Sequence, residues 1–334
     1  MRFGPADMDF EIPEDQICLQ EALAKVKAAC HVVARHVGPR TVTYEVKPAG
    51  DVLVSRVLSR IRDVGVRLSA STCTAREELG RLYIEITRDI PEIPRRLLMN
   101  ESRDPYDLLI GVGTGDIPIH IRLDKAVHGI IAGTSGSGKS VLTRNLVRSI
   151  ARIPLSQTII FDPKGGADYV DAVGAPGRIM LIDRPAYVRC WVDLARREME
   201  YRQGLSKDPS GIMLDRTSPL VLVFDEVQSI IEDQGVRDNM LRILAMGRSA
   251  SVHCFLATQA PSAKLLGGNE MRINAPTRIV LKTATASDSR VALTEGGAEK
   301  LLGMGDAILL YQGRKQRIQV PQLEAAEMFD GFQD

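Results

Sequence analysis

Eight residues, Gly133-Thr134-Ser135-Gly136-Ser137-Gly138-Lys139-Ser140, fit the pattern G-x-x-x-x-G-K-[ST] in full. The glycines let backbone N–H groups converge on phosphates, Lys139 reaches the β- and γ-phosphates, and the Ser140 hydroxyl is placed to ligate Mg²⁺. Together with Val141, which follows, these residues are the expected nucleotide-binding segment. "PLVLVFDE" ends an apolar run at Asp225 and Glu226, about 85 residues later. Such a pair often serves as a helix N-cap. Beside a phosphate loop, Asp225 is expected to hold the water shell of the metal, while Glu226 points elsewhere and polarises the attacking water. "VHCFLATQ" ends in Thr258 and Gln259, a polar pair that suits either an ordinary strand-end turn or the sensing of a γ-phosphate and its water.

Positioning such residues requires strands that end together. Short runs rich in Val, Ile and Leu, "LLIGVG", "GIIAG", "QTIIFD", "RIMLI", "PLVLVFDE", "VHCFLATQ", "TRIVLK" and "DAILLY", alternate with helical spacing after residue 103. Runs without polar alternation are strands buried on both faces, so the expected fold is α/β with a mostly parallel sheet covered by helices. Before it, apolar residues at three- and four-residue intervals predict a helix from about Gln16 to Ala34. "RTVTYEVKPA" then predicts a strand, "VSRVLSRIRDVGVRL" a helix and "GRLYIEIT" a strand. Pro91, Pro94 and Pro105 among charges suggest a boundary. The expected organisation is an extension over 1–15, a small α/β domain over 16–102 and a larger P-loop type α/β domain over 103–334.

Composition narrows the class. The chain has 334 residues, 44% hydrophobic, with 43 Lys and Arg against 42 Asp and Glu, so no global charge draws it to nucleic acid or lipid. Any basic surface must be local. The five cysteines show no C-x-x-C pair and no metal-ligand spacing to the histidines, as expected of idle thiols in a reducing compartment. Cys30 and His31 are neighbours, and neighbours point to different faces of a helix or strand. No run approaches the 18 or so apolar residues of a membrane helix, and the first residues lack the apolar core of a signal peptide, so a cytoplasmic location is expected.

Taken in order, "HGIIAGTSGSGKSVLTRNL", "FDPKGG", "VFDE", "GRSASVHCFLATQAPS", "INAPTRIVLKTATASDSR" and "GGAEKLLGMGDAILLY" resemble the motor of the FtsK/SpoIIIE family of DNA translocases. The last segment carries no phosphate-binding logic that a generic NTPase would share. "VGPRTVTYEVKPAGDVLVSRV" is similar to the small domain preceding that motor. The resemblance implies a RecA-like ATPase that forms a hexameric ring around double-stranded DNA, with ATP and Mg²⁺ bound between neighbouring motors. It also implies an arginine acting on the neighbour's nucleotide, matched by Arg248 with Arg278 in reserve. The segments that face DNA correspond to "KLLGGNEMRINAP" and "TATASDSR", which puts Arg272, Thr285, Ser287 and Arg290 against the phosphates, with Ser289 nearby. Arginines and hydroxyls on phosphates grip without reading sequence, as a translocase requires.

Two positions depart from the family pattern: Ala286 stands where a lysine is usual, and Ala260 replaces an arginine after Thr258-Gln259. Both weaken the expected grip or shift it to Lys264 and Lys282. The chain stops at Asp334 without a winged-helix module and without membrane segments, which suggests a motor from a plasmid, phage or integrative element, or a fragment of a longer protein. The role of Asp162 and Lys164 in "FDPKGG" is open beyond coupling. Rival readings are a protein-pumping secretion ATPase, a single-stranded DNA coupling protein and a nucleotide switch. The loops contain no Phe, Tyr or Trp, and aromatics make up 4% of the chain, whereas peptide- and single-strand-gripping channels favour such rings.

Overall fold

A computed structural model describes residues 13–38, 41–70, 72–87, 104–113, 117–173, 178–205, 218–259, 261 and 270–322. The chain divides into two compact units near residue 92. The expected boundary at 102/103 falls outside the described residues.

The first unit is a four-stranded antiparallel sheet with two helices. Helix α1 (Glu14–Lys25) leads to β1 (Cys30–Val37) and β2 (Thr41–Pro48), then α2 (Val54–Arg67), β3 (Cys73–Glu78) and β4 (Arg81–Thr87). The strand order is β1-β2-β4-β3. Leu19 and Leu23 of α1 and Val57 and Val64 of α2 pack on Tyr44 and Ile84, all fully or almost fully buried. The helix expected to reach Ala34 stops at Lys25. Lys27 has a positive φ of 58°, and the β-branched alternation of "CHVVARHV" then runs as a strand. In that strand Cys30 is buried and His31 exposed, on opposite faces.

The second unit is built on a ten-stranded sheet. In chain order it contains β5 (Asp107–Val112), β6 (Pro118–Arg122), α3 (Leu123–Ala126), β7 (His128–Ala132), α4 (Lys139–Ala151), β8 (Gln157–Phe161), β9 (Ile179–Ile182), α5 (Pro185–Leu205) and β10 (Leu220–Phe224). These are followed by α6 (Val227–Ile230), α7 (Gln234–Met246), β11 (Val252–Thr258), α8 (Glu270–Asn274), β12 (Thr277–Leu281), α9 (Ala286–Leu293), β13 (Asp306–Tyr311) and β14 (Arg314–Gln319). Strands β12, β7, β11, β10, β8 and β9 lie side by side and parallel. Beyond β12 the sheet continues through β13, β14, β5 and β6, each antiparallel to its neighbour. The fold is therefore α/β and mostly parallel, as the apolar runs predict, but "LLIGVG" and "DAILLY" belong to the antiparallel flank.

Alternation within buried strands assigns each residue a side. Val221 and Val223 of β10 pack with Leu142, Leu146 and Ile150 of α4 on one face. Leu222 and Phe224 pack with Val192 of α5 and Met240 of α7 on the other. Because β7, β8, β10 and β11 run the same way, their C-terminal ends gather at one edge. Every residue singled out for nucleotide chemistry before β12, except Arg248, lies at or after one of these ends.

Candidate nucleotide site

The phosphate loop joins β7 to α4 and is tied to the neighbouring strand ends. Gly133 N donates to Thr258 O at 3.1 Å, and Thr134 N donates to Lys282 O at 2.8 Å. Gly136 and Gly138 take φ of 74° and 102°, a region that side chains rarely adopt. A Cβ on Gly138 would also stand 2.7 Å from Gly305 N. The loop delivers the chain to the N-terminus of α4, whose free N–H groups and dipole favour an anion.

The parallel ladder sets two carboxylates beside the loop. Phe161 and Phe224 pair in register and stack at 4.5 Å, and Asp162 and Asp225 follow them directly. Lys139 Nζ donates to Asp225 Oδ1 at 2.7 Å, with both side chains buried. Tyr169, from the short 3₁₀ helix Ala167–Ala172, donates its hydroxyl to Asp225 Oδ2 at 3.2 Å. Burial pushes the Tyr169 hydroxyl well above the ordinary tyrosine value, and the Asp225 charge adds to the effect. Asp162 shapes the loop after β8 by accepting from Lys164 N at 3.0 Å and Gly166 N at 3.1 Å. Burial raises its pKa, partly opposed by those two bonds.

Glu226 has φ 64° and ψ 61°, a left-handed conformation uncommon for a non-glycine residue and often found where function dictates geometry. Its Oε1 accepts from Gln259 N at 3.3 Å and from Thr258 Oγ1 at 3.4 Å, and its Oε2 accepts from Lys164 Nζ at 3.4 Å. The structure thus brings together Lys139, Asp225, Glu226, Thr258 and Gln259, and adds Lys164 and Tyr169. Tyr169 left no signal in the sequence, because its partner lies 56 residues away.

A pocket of about 330 Å³, within the usual size range of ligand sites, opens over the loop. It is lined by the loop itself with Lys139, Ser140 and Val141, and by Gln259, Met304, Gly305, Val320 and Gln322. The donors fit Mg²⁺, which prefers a few hard oxygens and completes its shell with water and phosphate. Ser140 and Asp225 offer a hydroxyl and a carboxylate, and among the described residues no group of three or more His, Cys, Asp or Glu forms an all-protein cage.

Other expected residues lie elsewhere. Arg248 sits on the 3₁₀ turn Gly247–Ala250 just before β11, exposed and without a side-chain partner among the described residues. At about 3.3 Å per residue, the seven residues of β11 separate it from Gln259 by roughly 20 Å, so it cannot reach the site of its own chain. Arg278 is buried and donates to Ala292 O at 3.4 Å and Arg272 O at 3.3 Å. Burial lowers its pKa. The reserve finger is therefore an internal strut joining α8 to α9.

That strut brings Arg272 and Arg290 onto adjacent elements; Arg290 and Ser287 are exposed on α9. The Thr285 hydroxyl is engaged in capping α9, donating to Asp288 Oδ2 at 2.8 Å and accepting from Asp288 N at 3.1 Å. Ser289 faces inward, donating to Glu295 O at 2.9 Å. Ala260 and Lys264, with the rest of 262–269, lie outside the described residues. Lys282 is exposed at the end of β12. Among the described residues no helix is long and apolar enough to cross a membrane, and all five cysteines are free.

A family model for the FtsK alpha domain matches residues 6–91, and one for the central domain of helicase HerA matches residues 108–225. DNA translocase FtsK of Staphylococcus epidermidis is 28% identical over 346 residues, covering 93% of this chain and 43% of that protein. DNA translocase FtsK of Halalkalibacterium halodurans is 29% identical over 328 residues, covering 88% and 41%. The chain thus spans under half the length of these curated relatives. Among solved structures, the pCW3 conjugation coupling protein TcpA, in a monomer form with ATPγS, superposes with a TM-score of 0.66 at 16% identity over 94% of this chain and 96% of that one. The cytoplasmic domain of the Thermomonospora curvata type VII secretion ATPase EccC gives 0.58 at 23% identity over 69% and 30%. At these identities the two structures establish the fold alone.

Proposed function

Since the chain belongs to the HerA–FtsK superfamily of P-loop ATPases, we propose that it hydrolyses ATP to move double-stranded DNA through a hexameric ring. The observation that carries the reading is the meeting of the buried Lys139–Asp225 pair with Glu226 and Gln259 beside one pocket. Lys139 is positioned to exchange its carboxylate partner for the β- and γ-phosphates, while Ser140 and Asp225 hold Mg²⁺, the latter through water. The metal supplies neutralisation of charge on those phosphates. Glu226 accepts a proton from the water that attacks the γ-phosphorus, as the oxygen bridging to the β-phosphate departs. Gln259, hydrogen-bonded to Glu226 through its backbone, is the residue to orient that water.

Arg248 completes the site across a boundary between subunits. A guanidinium stabilises charge on the transferring phosphoryl group, and its distance from the pocket of its own chain supports a role at a neighbour's pocket. Arg272, Ser287 and Arg290 contact the DNA backbone, a grip that does not depend on sequence. Duplex is preferred over a single strand because neither loop segment carries an aromatic ring on which bases could stack. The test is displacement of a third strand from linear duplex DNA with ATP. Displacement by the intact chain and none by Lys139→Ala is the expected result; ATP turnover without displacement would overturn translocation.

A further inference from the structure

"GGAEKLLGMGD" has no phosphate chemistry of its own, yet the fold brings its Met304 and Gly305 to the pocket. Gly305 N donates to Ser137 O at 2.7 Å, inside the phosphate loop, and Val320 N donates to Gly305 O at 2.8 Å. Gln319, almost fully buried, donates through Nε2 to Met304 O and to Val320 O, each at 2.9 Å. Asp306, also buried, accepts from Leu302 N at 2.8 Å and from two nitrogens of Arg317. Asn145 of α4 donates to Pro321 O at 2.9 Å. This wall of the pocket is therefore held at several points and bonded directly to the phosphate loop.

On this wall a large apolar side chain is left in the open. Met304 is 62% exposed and has a φ of 50°, costly for a non-glycine residue. Gln259 lies toward Glu226, on the side where a γ-phosphate and its water belong. A nucleotide with its phosphates over Lys139 and Ser140 has the rest of the pocket left to it, bounded by Met304, Val320 and Gln322.

We propose that Met304 and Val320 form the seat of the nucleobase, with the Met304 thioether against the face of a purine ring and the Gln322 amide at its polar edge. A thioether is polarisable and packs well against an aromatic ring, and an amide both donates and accepts. The fixed wall means that little ordering remains to be done when the base arrives. The seat rests on the reading of residues 133–140 as a triphosphate cradle, and it gives the segment after β12 a share in nucleotide recognition.

Calorimetric titration with ATP and with inorganic tripolyphosphate separates the two ideas. Met304 is exposed, so Met304→Ala keeps the fold. It is expected to weaken ATP binding about two- to tenfold, the range of a single sulfur–ring contact, and to leave tripolyphosphate affinity within twofold. Met304→Leu, which restores an apolar surface, is expected to recover most of the loss. Equal weakening of both ligands, or no weakening of ATP, would overturn the seat. Failure of the intact protein to bind either ligand would overturn the cradle itself, and the seat with it.

Discussion

Glu226 is held by three donors from two directions: Lys164 on one oxygen, and Thr258 and the backbone of Gln259 on the other. A carboxylate so held keeps its place when its charge is removed, because an amide oxygen still accepts from Gln259 N. Glu226→Gln is therefore expected to bind ATP with affinity within about threefold of the unaltered chain and to hydrolyse it some 10² to 10⁴ times more slowly, the usual contribution of a general base. Single-turnover hydrolysis alongside a binding titration checks this, and unchanged hydrolysis would place the base elsewhere. The loop, Asp225 and Glu226 are legible in the sequence because each is a contiguous run whose spacing is its own signature. Lys164 is visible only as part of an unexplained motif, and Tyr169 and Met304 are invisible. Their partners are fixed by register and loop packing, which short-range patterns do not encode.

Helices α8 and α9 are short, and a buried side chain bridges them. Arg278 satisfies the carbonyls of Arg272 and Ala292, and its Nε has no hydrogen-bond partner among the described residues. Removing the guanidinium takes away the donor to one buried and one part-buried carbonyl, a loss of about 1–3 kcal/mol. Arg278→Ala is accordingly expected to lower stability to denaturant by that amount, to weaken binding of a fluorescent duplex and to leave ATP affinity unchanged. Duplex affinity equal to that of the unaltered chain would dissociate the strut from the grip. Apolar periodicity cannot show such a strut, since an arginine in "PTRIVLK" looks like a surface residue until the strand is placed. The same limit explains α1 and β1: helical and strand spacing merge in "QICLQEALAKVKAACHVVA", and the break at Lys27 is a backbone event. Direction is equally silent, so β5 and β13 are recognisable as buried strands without revealing that they run antiparallel to their neighbours.

At the scale of the molecule, the parallel sheet has two edges with different tasks. Beneath the N-terminal ends of β7 and β11, His128 accepts from Cys254 N at 3.0 Å and His253 bonds Val127 O at 2.9 Å. Burial lowers the His128 pKa to about 3 and the His253 pKa to about 4, with the neighbouring ring adding to the shift of His128. Both are neutral in the fold and titrate near 6.5 when unfolded. Stability is thus fully present above about pH 6.5 and falls as the pH drops toward 4, by at most about 1.4 kcal/mol per pH unit for each histidine. Thermal unfolding at pH 7.5, 6 and 5 is expected to show a flat then falling midpoint. His128→Asn, which keeps an acceptor for Cys254 N, should reduce that fall.

In the proposed ring, a second task of that edge concerns the neighbouring subunit. Arg248 stands there unpaired among the described residues, roughly 20 Å along β11 from the pocket of its own chain, while Lys139 stands at the opposite edge. In a head-to-tail ring each interface joins one subunit's pocket to the next subunit's finger, so the two residues of one working site come from different chains. A Lys139→Ala subunit retains its finger, and an Arg248→Ala subunit retains its pocket. Either variant alone is expected to be inactive. Mixed in equal amounts, a fraction of interfaces pairs an intact pocket with an intact finger, and ATP turnover should reappear at those interfaces and vary with the mixing ratio. If both residues served the same chain, no mixture would recover activity, because every site would still lack one of them.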